Sequence, residues 1–533
     1  MTTSPAEIES FIAGFEDRLA PVERASSEAW WELATTGTEE AQEKLVSTRM
    51  AYNELFAEKR EYELMKAWYE SRGALDSSVL RRQVEILYKT FAGRQGDKET
   101  LRRVEELEAE ANAIYSNHRG IVEGKETSEN KLRDILHVSE DSTLRREAWE
   151  ASKSVGRKVE VIVRELARLR NELARAEGFA DYYTRSLDLQ EIDAAELARL
   201  MDGLQTATDE PFREFKAGLD VDLRRRFGVE QVMPWHLSDP FFQEPPERDD
   251  LDVDRYFAGK DLTTLTRATY DRLGFEVRDV LARSDLYERA GKDQHAFCLR
   301  VGRSYPYNVR VLANIHNDAY WMNTMLHEFG HAVYDKYIDP SLPYLLRTVA
   351  HINSTEAIAL MMGSLADDPH WISSVAGVPE EDLAPDLERL AERRRADRLI
   401  FTRWALVMYR FEKALYQDPA REDLNTLWWD LVEEIQLVQR PPDRDEPDWA
   451  AKLHVALAPV YYHNYVLGYL TAAQLRHHLE KNVVGGPFFL SEMAGRYLQE
   501  AVFGPGARNG WEDTILGATG EMLNPDYFVK SLH

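Results

Sequence analysis

A mostly α-helical chain interrupted by one short β-hairpin is the fold class this sequence predicts, and three observations predict it. Long segments carry apolar residues at three- and four-residue spacing among Glu, Arg, Ala and Leu, with few helix breakers. Strand-like alternation is confined to one region, around 295–315. No Gly/Ser or Pro-rich linker and no fixed-period repeat divides the 533 residues, so they read as one large domain.

From about Ile8 to Ala92 the periodicity predicts long helices, with Trp30, Trp31, Tyr52, Phe56, Tyr62 and Trp68 as core. Lys98 to Ser116 places Leu101, Val104, Leu107, Ala111 and Ile114 on one face, as an amphipathic helix does. Two more helices are expected between Ser142 and Glu177, ending at Gly178. Pro234, Pro240, Pro245 and Pro246 interrupt any helix from Met233 to Lys260, and Asp249-Asp-Leu-Asp adds repelling charge, so this stretch reads as a long surface loop. The runs from His295 and from Val309, separated by a Gly/Ser/Pro/Asn turn, predict the hairpin, whose edge could pair with an extended peptide. A long helix is expected from Pro385 to Tyr416, with Glu392 to Arg398 as a solvated face.

Composition narrows the partners. A formal net charge of −27 disfavours nucleic acid and anionic membrane, which need basic surface. There is neither a signal-peptide pattern at the amino terminus nor an apolar run long enough to span a bilayer. The single cysteine, Cys298, precludes an internal disulfide and fits a reducing cytoplasm.

The strongest chemical signal is His327-Glu328-Phe-Gly-His331. On a helix, residues four apart stack on one face, so both imidazoles can reach one metal ion while Glu328 stays free as a general base. Asn317 or Asp318 can cap this helix, and the Asp339-Pro340 step ends it. Two histidines from one helix leave zinc in need of a third protein ligand. Glu356, in Asn353-Ser-Thr-Glu356 at what reads as a capped helix start, can supply it and leave a position open. Further on, Lys452, His454 and the run Tyr461-Tyr462-His463-Asn464-Tyr465 could offer anion-binding and oxyanion-stabilising groups.

Together these residues resemble the angiotensin-converting-enzyme-like zinc peptidyl-dipeptidases, a gluzincin family. The similarity rests on His327-Glu-Phe-Gly-His331, Glu356 followed by Ala-Ile, Asn425-x-x-Trp428-Trp429, a Pro-Pro-x-Arg loop, Ala-Lys452-x-His454 and Tyr462-x-x-Tyr465, all in the family's order. Weaker similarity reaches back to about Ser142 and on to Asn524-Pro-Asp-Tyr-Phe. The resemblance implies one zinc ion per chain on His327, His331 and Glu356, with Glu328 as base. It gives Tyr465 the oxyanion and His454 a hydrogen bond to substrate or intermediate. Lys452 and Tyr462 would hold a C-terminal carboxylate, and His295 and Ala296 would line the substrate strand. It further implies a soluble, two-lobed helical enzyme around a deep channel, about 1–140 forming a helical lid and about 141–533 the catalytic part, with a short peptide as substrate.

Departures from the family pattern are informative. Asn464 and Val432 stand where the family has arginines serving chloride sites, so chloride activation is not expected. Leu360 replaces an Asp that orients a zinc-binding His, so that ring needs another partner. If Trp235-His-Leu-Ser matches the family segment carrying a carboxylate-binding Gln, Leu237 removes that donor, and Tyr461 rivals Tyr462 as a carboxylate anchor. Alternative readings are an internally cutting enzyme resembling thimet oligopeptidase, an amidase acting on a modified peptide-like metabolite, and a peptide-binding protein on an inactive scaffold. Oligomeric state is not written in the sequence.

Overall fold

In the computed structural model, residues 4–246 and 251–532 are described. The chain divides into two compact units, one of Met1–Gln95, Asp252–Leu390 and Leu467–Phe528, the other of Gly96–Leu251, Ala391–Val466 and Val529–His533. Both are helical. Among the described residues the only sheets are two antiparallel strand pairs, Gly120–Val122 with Lys125–Thr127 and Phe297–Arg300 with Val309–Leu312. The mostly helical fold class is thus observed. No helix among the described residues is long and apolar enough to cross a membrane.

The first unit opens with helices Pro5–Thr36, Glu39–Phe56, Lys59–Ser71 and Ser78–Ala92, as the periodicity predicts. Ser4 starts the series with a capping box, its side chain and that of Glu7 each satisfying a free backbone N–H. Phe15, Phe56, Trp68, Leu87 and Phe91 close into one apolar cluster. Each such side chain contributes roughly 1.5–3 kcal/mol when fully buried. Trp30 and Trp31 do something else. Their rings lie 5.8 and 6.3 Å from that of Phe297, so the first helix braces the Phe297–Arg300 strand. The opposite strand, Val309–Leu312, has its outer edge covered by Asp285, whose N–H donates to Val311 O and whose carbonyl accepts from Ala313 N.

In the second unit, helices Lys98–Asn117, Ser142–Lys153 and Gly156–Ala176 stand where expected, although only Leu107 and Ala111 of the first are fully buried. The small strand pair at 120–127 was not anticipated. Its turn, Glu123-Gly124, takes φ of 50° and 74°, the mirror-image geometry that suits two-residue hairpins.

The stretch from Met233 corrects the expectation of a surface loop. Its described residues lack regular secondary structure apart from single turns, yet residues 234–240 are buried. Long side chains make this tolerable by satisfying its carbonyls: Arg145 donates to Trp235 O at 2.7 Å and Leu237 O at 2.9 Å, and Trp149 Nε1 donates to Pro240 O at 3.2 Å. The charged step at 249–250 lies outside the described residues.

Candidate metal centre and associated residues

His327, Glu328 and His331 sit on the helix Ala319–Lys336, which Asp318 caps by accepting from Trp321 N at 2.8 Å. Glu356 sits on the helix Ile352–Gly363. Glycine lets the two helices approach. A Cβ at Gly330, inside the histidine motif, would lie 2.9 Å from Ala359 Cα, and one at Gly363 would lie 3.3 Å from His327 Cβ. Asn323 Nδ2 ties the pair by donating to Gly363 O at 3.0 Å. A third segment closes on the ligand side, where a Cβ at Gly468 would meet Glu356 Cβ at 3.2 Å.

This packing gathers the predicted ligands. One ligand atom each from His327, His331 and Glu356 lie within 4.8 Å of one another, with His327 Nε2 3.8 Å from Glu356 Oε2. The imidazole rings are 4.9 Å apart at 82°. His331 Nδ1 is 2.7 Å from Thr355 Oγ1. With the ring proton on Nδ1 and donated to that hydroxyl, Nε2 keeps its lone pair for a metal. Thr355 therefore does for His331 what Leu360 cannot.

The electrostatics suit a cation. Burial holds His327 in its neutral form, bringing it down to about 4, and burial together with His327 pushes His331 well below its ordinary range. Burial raises Glu356 to about 7. Burial, and secondly the Glu356 charge, raises Glu328 to about 8, while the Cys298 backbone N–H bonded to its carboxylate works the other way. Two neutral imidazoles and the Glu356 carboxylate form a donor set that fits zinc, with Glu328 beside the ligands.

These residues line a cavity of about 470 Å³ together with Ala296, Phe297 and Cys298 from the strand region. His295 is placed differently. It precedes the strand, its side chain is 94% exposed beside Asp293, and it is not among the lining residues.

The remaining predicted residues fall in the second unit and cluster there. Tyr462 lies 5.1 Å from His454 and 5.7 Å from Tyr465, ring centre to ring centre, and Tyr461 lies 5.1 Å from Tyr465. Tyr462 is buried, whereas Tyr461 is partly exposed. His454 Nδ1 is buried with no hydrogen-bond partner among the described residues. Burial brings Lys452 down to about 8, and its ammonium donates to Gln243 Oε1 at 2.8 Å. Gln243 was missed by the sequence reading, which looked for the family's Gln at Leu237; Leu237 is instead buried, with its carbonyl held by Arg145. Asn464 donates to Gln190 Oε1 at 2.7 Å, and His463 Nε2 lies 3.1 Å from the same oxygen.

Comparison with known proteins agrees with this chemistry. Residues 135–533 match the profile of peptidase family M3, and residues 2–234 match that of angiotensin-converting enzyme. Carboxypeptidase 1 of Bacillus subtilis (strain 168) is 26% identical over 230 residues, which cover 39% of this chain and 46% of the relative. The chain thus aligns with less than half of that relative's length.

Proposed function

Because the chain belongs to peptidase family M3, we propose that it is a zinc metallopeptidase cutting short peptides near their C-terminus and releasing dipeptides. The observation that carries the reading is the convergence of His327, His331 and Glu356 beside Glu328 on one cavity wall. Zinc held by these three residues would polarise the scissile carbonyl and acidify a water molecule. Glu328 would then take the water's proton and return it to the departing amine. Ala296 and the strand residues Phe297 and Cys298 would align the peptide backbone, with His295 just before them.

In this reading both units belong to one catalytic domain. Tyr465 donates to the oxyanion, His454 hydrogen-bonds the substrate or intermediate, and Lys452 with Tyr462 holds the C-terminal carboxylate. The Gln243 contact supports the last assignment by fixing the Lys452 ammonium while leaving it further protons to donate. The lone Cys298 favours a reducing, cytoplasmic setting.

The name of the Bacillus relative favours a second reading, release of single C-terminal residues. Mass spectrometry of products from a mixed peptide library separates the two. Loss of two residues per step is expected, abolished in Glu328→Ala; one-residue steps would favour the second reading, and internal cuts would remove both. Chloride should not activate the enzyme, since Asn464 is engaged with Gln190. A several-fold rise in turnover when chloride replaces another anion at fixed ionic strength would contradict this.

A further inference from the structure

Between His454 and Tyr465, the proposed substrate contact and oxyanion donor, the backbone is strained. Val460 is buried and has φ of 55°, in the left-handed region that a β-branched residue hardly ever occupies. It lies two residues before the helix Tyr462–His478, whose first turn carries Tyr462 and Tyr465, so the backbone angle at Val460 aims that turn. Strain of this kind persists only where the surroundings over-determine it.

Here the surroundings are three polar side chains from three other elements, all in the second unit. Glu412, on the helix Leu387–Gln417, is 2% exposed and accepts from Val460 N at 2.9 Å. Gln190, just past the helix Tyr182–Leu189, holds the other side: its Nε2 donates to Val460 O at 3.2 Å. Through Oε1 the same side chain accepts from Asn464 in the following helical turn. Arg170, on the helix Gly156–Ala176, donates to Ala456 O at 2.7 Å, on the short helix Leu453–Leu457 that carries His454. Burying a carboxylate as deeply as Glu412 costs free energy, and the contact it makes is with the strained residue. Burial raises Glu412 to about 8, while the Val460 N–H and then the Arg170 charge work the other way. We propose that Glu412 and Gln190 are positioning residues for the reaction, clamping Val460 in its left-handed conformation and so fixing where the Tyr465 hydroxyl meets the developing oxyanion.

The assignment rests on the reading of Tyr465 as oxyanion donor, and a double-mutant cycle separates the two. Turnover of one short peptide is measured for wild type, Glu412→Met, Tyr465→Phe and the double variant. Tyr465→Phe should lower kcat by about 100-fold, the scale of a lost oxyanion donor. Glu412→Met should lower kcat by about tenfold, as a small misplacement of a reacting group does. Where Tyr465 is already Phe, Glu412→Met should cost less than about twofold, because the contact it aims is gone. A merely structural glutamate would cost the same in both backgrounds. Glu412→Gln keeps an acceptor oxygen and should keep most of the rate. Adding Val460→Gly to Glu412→Met should regain most of the loss, since glycine adopts positive φ without strain. Equal losses from Glu412→Met in both backgrounds, no loss in either, or no recovery with the glycine would overturn the clamp. An unaltered kcat in Tyr465→Phe would instead remove the oxyanion reading, and the clamp's role with it. Should Glu412→Met not fold, Gln190→Met takes its place in the same cycle and is judged by the same comparison of backgrounds.

Discussion

At the residue scale, a ligand is only as good as the group behind it. His331 needs its proton held on Nδ1, and Thr355 Oγ1 at 2.7 Å is the group that holds it. Thr355→Val keeps the side-chain shape and removes the oxygen, so zinc affinity should fall about 10- to 100-fold, while Thr355→Ser should retain most of it. Competition against a chromogenic chelator measures this, and equal affinities in all three proteins would show that Thr355 does not orient the ring. Sequence pattern found His327, His331 and Glu356 because a ligand pair on one helix has a fixed spacing, but it missed Thr355. A hydroxyl just before a carboxylate reads as a helix cap, whereas the cap here is His351 and Thr355 lies inside the helix. Gln243 escaped for a different reason: its bond to Lys452 spans 209 residues, and no local pattern encodes it.

At the scale of elements, the metal centre is a helix-packing problem. The histidine helix and the Glu356 helix carry different ligands, so their separation sets whether one ion can touch all three. Gly330→Ala would drive a methyl group to 2.9 Å from Ala359 Cα, a backbone atom that cannot rotate away. Its cost should be about 1–3 kcal/mol, with weaker zinc binding as the helices part. Gly363→Ala, whose new methyl meets its neighbours at 3.2 Å or more, should be the milder change. Thermal melting and zinc titration of both variants test the ranking; a Gly330→Ala protein as stable and as tight-binding as wild type would contradict it. Most helices were legible because periodicity is a local property. The buried loop at 234–240 was not, because Pro and polar residues resemble surface until Arg145 and Trp149 are seen satisfying its carbonyls.

At the scale of the whole molecule, the first unit is assembled from three separated stretches of chain. The initial helices brace the Phe297 strand, the middle stretch carries every proposed zinc ligand, and Gly468 in the last stretch packs on Glu356. The first hundred residues read from sequence only as helices, yet the angiotensin-converting-enzyme profile extends to residue 2. Their aromatic spacing reports a core without reporting what the core supports. Because the three proposed zinc ligands come from two helices within one unit, metal binding should stabilise that unit by mass action, by about 2.7 kcal/mol when free zinc is 100 times its Kd. Melting after exhaustive chelation should therefore begin at lower temperature and recover on adding zinc. Hydrogen exchange should locate the change, with slower exchange on metal binding in 319–336 and 352–363, and little change in the helix 156–176 of the other unit. If zinc protected both units equally, or neither, the ion would not be held by His327, His331 and Glu356 alone.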